Sequence, residues 1–101
     1  MIVEMANFRI KPGSEEAFEA AFRKAVDIFR QSKGCQGLHL QRCIEEPDLY
    51  QAVIHWETLE DHTVGFRGSP LFQEWRGLVG AFFAAPPHAI HFDIAVPRTD
   101  F

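Results

Sequence analysis

The sequence predicts an α+β fold of ferredoxin-like βαββαβ order, a four-stranded antiparallel sheet with both helices on one face. Three observations predict it. Apolar periodicity passes through strand, helix, strand, strand, broken helix and strand in that order. Glu46-Pro47-Asp48 is a connection short enough for a hairpin between the two middle strands. The strands carry apolar residues at both parities, so both faces of the sheet need cover.

Residues 2–10 form a β-branched and apolar run closed by Lys11-Pro12-Gly13, a strand followed by a turn. Ser14 stands at the N-cap position, with Glu15 and Glu16 where the helix dipole favours carboxylates. The helix that follows places Phe18, Ala21, Phe22, Ala25, Ile28 and Phe29 on one stripe and ends at Lys33-Gly34. Leu38 to Glu45 and Leu49 to Trp56 are the hairpin strands. Thr58 and Asp61 make a capping pattern for a short helix, and Ser69-Pro70 restarts it, since proline suits a first helical position. Leu71, Phe72, Trp75, Leu78, Val79 and Phe82 form the stripe of this second segment. Residues 88–96 alternate as the last strand. Two helices can cover one sheet face only, so a homodimer packed through the other sheet face is expected, with Phe8 and Phe92 turned toward the partner.

The chain has 101 residues, room for one domain spanning 1–101, and 47% apolar against 24% charged residues is a globular composition. A formal charge of -4 offers no basic stripe to phosphate backbones or anionic lipid, so neither nucleic acid nor membrane is an expected partner. The first residues lack the pattern of a secretory signal, and no apolar run approaches a membrane span, so a cytoplasmic protein is expected. Cys35 and Cys43 fit neither a disulfide framework nor a zinc pattern.

No phosphate loop, nucleophile elbow or His-Glu-x-x-His spacing is present. Chemistry falls instead to histidines and an asparagine. His62 lies three residues after Leu59 and four before Phe66, on the apolar edge of its helix, and an inward imidazole can act as a base. His91 shares a strand face with Asp93, which could orient it. Asn7, in an apolar strand, needs partners for its amide and is a candidate for aiming at a ligand. His55, His62, His91 and Asp93 are the residues from which a metal site could be drawn, but none is assigned. A helix interrupted at Gly68-Ser69 cannot pack flush, and a pocket beneath the break would be lined by Phe66, Phe72, Trp75 and Phe82, with Arg67 or Arg76 receiving an anionic substituent.

Pro12-Gly13 followed by Phe18, then Gly34-Cys35-Gln36-Gly37, Trp56-Glu57-Thr58, and the run Phe66-Arg67-Gly68-Ser69-Pro70-Leu71-Phe72-Gln73-Glu74-Trp75 occur in order. By these residues the chain resembles the antibiotic biosynthesis monooxygenase superfamily from residue 1 to about 95. The resemblance implies a dimeric α+β barrel built from two ferredoxin-like chains. It also implies a cofactor-independent monooxygenase acting on a small aromatic phenol or quinol, with neither metal nor flavin. His62 would be the base, His91 the reserve base, Asn7 a donor to the substrate or its oxyanion, and the phenylalanines an apolar box. Other members degrade heme or isomerise small metabolites. Heme-degrading relatives pair a first-strand asparagine with a tryptophan and a histidine on the second helix. Asn7 matches the first, but Gly65 or Phe66 and Arg76 stand near the other two, which disfavours heme. A non-catalytic small-molecule-binding barrel and an isomerase of a small hydroxy-ketone are the alternative expectations.

Overall fold

A computed structural model describes residues 1–101. The elements are β1 (Ile2–Arg9), α1 (Glu15–Gln31), β2 (Cys35–Arg42), β3 (Leu49–Trp56), a π-helical turn (Asp61–Phe66), α2 (Pro70–Val79), a 3₁₀ turn (Gly80–Phe82) and β4 (His88–Asp93). The strands pair antiparallel in the order β2-β3-β1-β4. The ferredoxin-like α+β arrangement is therefore the observed fold.

Three boundaries move from their expected positions, each for a local reason. β2 begins at Cys35, three residues early, because a register shift between Cys35 and Gly37 carries the pairing with β3 back across the glycine. β4 stops at Asp93 instead of residue 96, because Asp93 pairs with Ile2 and β1 supplies no partner beyond it. Between β2 and β3 the chain turns through residues 43–48, where Arg9 holds Glu46 at 2.9 Å and Asp48 at 3.1 Å. The first helix ends one residue before Ser32, and Gly34 follows at φ +81°. A side chain at Gly34 would adopt a left-handed backbone and drive its Cβ into the Asp61 carboxylate, so only glycine closes this corner.

Register fixes which way each parity points. Ile2, Glu4, Ala6 and Phe8 of β1 align with Trp56, Ile54, Ala52 and Tyr50 of β3, and this parity faces the helices. Phe18, Phe22, Ala25, Ile28 and Phe29 of α1 pack down on it, together with Trp75 and Val79 of α2. Phe8 is thus a core residue, 1% exposed, with its ring 5.9 Å from Phe18, 6.0 Å from Trp75 and stacked at 5.1 Å on Phe83. The expectation that Phe8 faces a partner is corrected: apolar residues occupy both parities of β1, and only the pairing decides which of them meets the helices.

The opposite face carries no helix. It presents Val3, Met5 and Asn7 of β1, Gln51, Val53 and His55 of β3, and His88, Ile90 and Phe92 of β4. Ile90 and Phe92 are each 45% exposed. Across this apolar surface runs one polar chain. The His39 ring donates to Gln41 Oε1 at 2.9 Å, Gln41 Nε2 donates to Gln51 Oε1 at 2.7 Å, and Gln51 Nε2 donates to Asn7 Oδ1 at 3.0 Å. No helix is long and apolar enough to cross a membrane.

Candidate active site

The hollow between sheet and helices begins with three alanines. Ala6 pairs with Ala52 on one side and with Ala89 on the other, so a row of small side chains crosses β3, β1 and β4 on the helix face. Above it the second helical segment is broken. Arg67 donates its amide to the His62 carbonyl at 3.1 Å, an i to i+5 bond that widens the turn, and Gly68 donates to Val64 at 2.9 Å. Ser69 is extended, its hydroxyl bonded to the Phe66 carbonyl at 2.8 Å, and Pro70 opens α2. Small floor and interrupted roof together leave a cavity of about 690 Å³. Phe66, Phe72, Trp75 and Phe83 wall it, with Arg67 and Arg76 among its lining residues. The Arg76 guanidinium rests over the Phe72 ring at 5.8 Å.

One end of the cavity is polar. The register sets Glu4 directly beside His91 on β4, and Trp56 lies one pleat along β3 on the same face. His62 descends from the π-helical turn, 3% exposed, its ring stacked on Trp56 at 5.2 Å and beside Phe66 at 6.1 Å. Glu4, 5% exposed, accepts the Trp56 indole N–H at Oε1 over 2.9 Å, and the same oxygen lies 3.3 Å from His62 Nε2. His62 Nδ1 is 2.8 Å from His91 Nε2. The result is a continuous chain from Glu4 through His62 to His91.

Charge at this end is disfavoured. Burial raises the Glu4 carboxyl above its ordinary range, against the lowering effect of the Trp56 hydrogen bond and of Arg67. Burial pushes the His62 imidazole down to about 4, helped by the charges of Arg67 and His91. His91 is lowered by burial and then by Arg67. Both imidazoles are neutral at pH 7, so the 3.3 Å approach of His62 Nε2 to Glu4 is a polar contact and not an ion pair. The hydrogen bond that His62 makes is to His91, one neutral ring donating and the other accepting.

These shifts oppose one another in stability. The unfolded chain protonates His62 below about 6.5 and the folded chain only near 4, so this group costs stability as pH falls through that window. Glu4 contributes stability at low pH that is lost as pH rises above 4.5, because the folded state keeps its proton longer. Glu4→Gln removes the second effect and leaves the first. The variant is expected to lose stability more steeply than wild type as pH falls from 6.5 to 4, in urea midpoints taken across that range. Parallel profiles would contradict the arrangement.

Of the residues singled out from sequence, His62, Phe66, Arg67, Phe72 and Trp75 line the cavity, and His91 joins them through His62. Asp93 makes no hydrogen bond to His91, whose partner is His62. Asn7 is on the other face of the sheet, satisfied by Gln51, because its parity is that of Met5 and not of Ala6. It does not converge with the histidines. His55 shares that outer face, so the four residues weighed for a metal do not meet, and no group of three His, Cys, Asp or Glu is placed to hold one. Phe82 turns away as well: the 3₁₀ turn shifts the phase of the helical stripe, sending Phe82 toward Phe18 at 6.3 Å and Phe83 into the wall. The Trp75 indole N–H is buried without a hydrogen-bond partner, ringed by Phe8, Phe29, Phe72 and Phe83. Glu4, Trp56 and the alanine row are what the sequence reading missed. Glu4 had a signal, being a carboxylate at the same parity as Ile2, Ala6 and Phe8.

Known proteins share this architecture. The family model described as antibiotic biosynthesis monooxygenase matches residues 1–78. YczJ of Bacillus subtilis (strain 168), an uncharacterised protein, is 46% identical over 92 residues, which are 91% of this chain and 97% of YczJ. A crystal structure from Bordetella bronchiseptica, described as a candidate antibiotic biosynthesis monooxygenase, superimposes with a TM-score of 0.92 at 44% identity, covering 94% of this chain and 97% of that one. SnoaB from Streptomyces nogalater, described as a cofactor-independent oxygenase, shares the fold with a TM-score of 0.82 at 16% identity, covering 98% and 97% of the two chains.

Proposed function

This chain belongs to the antibiotic biosynthesis monooxygenase family, and on that premise we propose that it is a cofactor-independent monooxygenase of a small aromatic phenol or quinol. The observation that carries the reading is the 690 Å³ aromatic cavity with a buried carboxylate–histidine chain at one end. An electron-rich phenol, once deprotonated, can itself reduce dioxygen. One oxygen atom enters the ring as a carbonyl and the other leaves as water, all electrons coming from the substrate, so the reading calls for neither metal nor flavin. The protein supplies a base, a fixed orientation and a dry box. The base belongs to the Glu4–His62–His91 chain, and the phenylalanines and Trp75 hold the ring.

The working form is a cytoplasmic homodimer closed through the helix-free sheet face, as a dimeric α+β barrel. Half-exposed Ile90 and Phe92 support this, since a monomer would leave them in water. The amide chain ending at Asn7 then serves to set register between the two sheets, a role distinct from catalysis.

The test is dioxygen uptake with a panel of hydroquinones and anthrones. Wild type is expected to consume dioxygen with at least one of them, and His62→Ala to lower the rate by at least about 100-fold. Uptake no faster with wild type than without protein would overturn the reading, and uptake unchanged in His62→Ala would remove His62 from the acting chain. Saturable binding without uptake would make the protein a small-molecule-binding barrel, and turnover lost only on exhaustive chelation would make it metal-dependent.

A further inference from the structure

We propose that Glu4, and not a histidine, is the group that takes the proton from the bound substrate, at Oε2. The inference rests on the reading of the cavity as a phenol site and names the atom that acts within it.

The geometry of His62 is the starting point. An imidazole has two nitrogens; Nδ1 is hydrogen-bonded with His91 at 2.8 Å, and Nε2 is packed against Glu4 Oε1 at 3.3 Å. A ligand would have to displace one of these two neighbours to reach a nitrogen of His62. His91 does not line the cavity; it reaches it only through His62. Glu4 lines it directly, and both the hydrogen bond from Trp56 Nε1 and the contact with His62 Nε2 fall on the single oxygen Oε1. Oε2 has no side-chain hydrogen bond and is not among the fully buried polar atoms lacking a partner. It is the acceptor that remains available at the polar end of the cavity.

A carboxylate is a weak base in water. Here the apolar surroundings penalise its charge, which brings its affinity for a proton closer to that of a phenol. Trp56 and His62 hold Oε1 and so fix the rotation of the group. In the step itself the phenol O–H bond breaks, its electron pair stays on the phenolate oxygen, and a new O–H bond forms at Oε2, leaving Glu4 neutral. No oxidant or reductant enters. His62, packed against Oε1, and His91, bonded behind it, are positioning residues.

The probe is 4-nitrophenol, whose neutral and ionised forms absorb at separate wavelengths, followed by spectral titration of the bound probe. In wild type, phenol and Glu4 share one proton, so a phenolate band is expected as a plateau at pH values below the probe's own ionisation in buffer. Infrared difference spectra at the plateau should show a carbonyl band of a protonated carboxyl group. In Glu4→Gln, which keeps an acceptor for Trp56, the plateau should vanish while the variant stays folded by circular dichroism. The same plateau in Glu4→Gln overturns the proposal. So does wild type without a plateau or without the carboxyl band, a result that needs no variant to fold. The outcome is independent of dioxygen: a Glu4-dependent plateau in a protein with no uptake would sink the oxygenase reading and keep Glu4. Uptake with a plateau unchanged in Glu4→Gln would do the reverse.

Discussion

Phe8→Ala is expected to cost about 3–5 kcal/mol of stability, a large share of the roughly 5–15 kcal/mol that holds a domain of this size. The ring is 1% exposed and joins three separate elements, touching Phe18 of α1, Trp75 of α2 and Phe83 beyond the 3₁₀ turn. Removing it deletes the contacts of all three and opens the cavity floor beside the alanine row. Because the loss occurs inside one chain, the urea midpoint should fall by an amount independent of protein concentration. A loss below about 1 kcal/mol, or one that grows on dilution, would place the ring at a subunit contact instead.

The second large effect has the opposite character. Phe92→Asp is expected to leave the chain folded, since the side chain is 45% exposed and touches no core cluster, but to weaken dimerisation by at least about 100-fold, or about 2.7 kcal/mol. An unpaired carboxylate would be enclosed where two apolar faces meet. Sedimentation equilibrium should show monomers at concentrations where wild type is dimeric. Unchanged association would exclude this face as the dimer contact.

The contrast between these two phenylalanines marks how far the sequence could be read. Strands, helices, the hairpin and the break at Gly68-Ser69 were legible, because apolar spacing, caps and proline act locally. Parity was legible too: Phe8 and Asn7 must point oppositely. Phase was not. Both parities of β1 are largely apolar, so only the pairing of Ala6 with Ala52 and Ala89 shows which one lies under the helices. From that one missing bit followed the placement of Phe8 toward a partner and of Asn7 toward the ligand.

The site was legible in the same partial way. His62 was found because Leu59 and Phe66 flank it at helical spacing. Its partners were not, because Glu4 and His91 are joined only by the β1 to β4 register, across most of the chain. Phe82 is expected in the lining because a helical stripe continues past Val79, and it is excluded where the turn tightens to 3₁₀ geometry. The cavity itself came from residues that attract no attention in a sequence, three alanines whose alignment exists only in the folded sheet.

The central claim is that substrate binds on the helix side of the sheet, over those alanines and against Glu4. A crystal structure of the protein with bound 4-nitrophenol tests it. The account predicts the ring above Ala6, Ala52 and Ala89, with its phenol oxygen about 2.5–3.0 Å from Glu4 Oε2. A ring held between the two sheets beside Asn7, with Glu4 untouched, would contradict it.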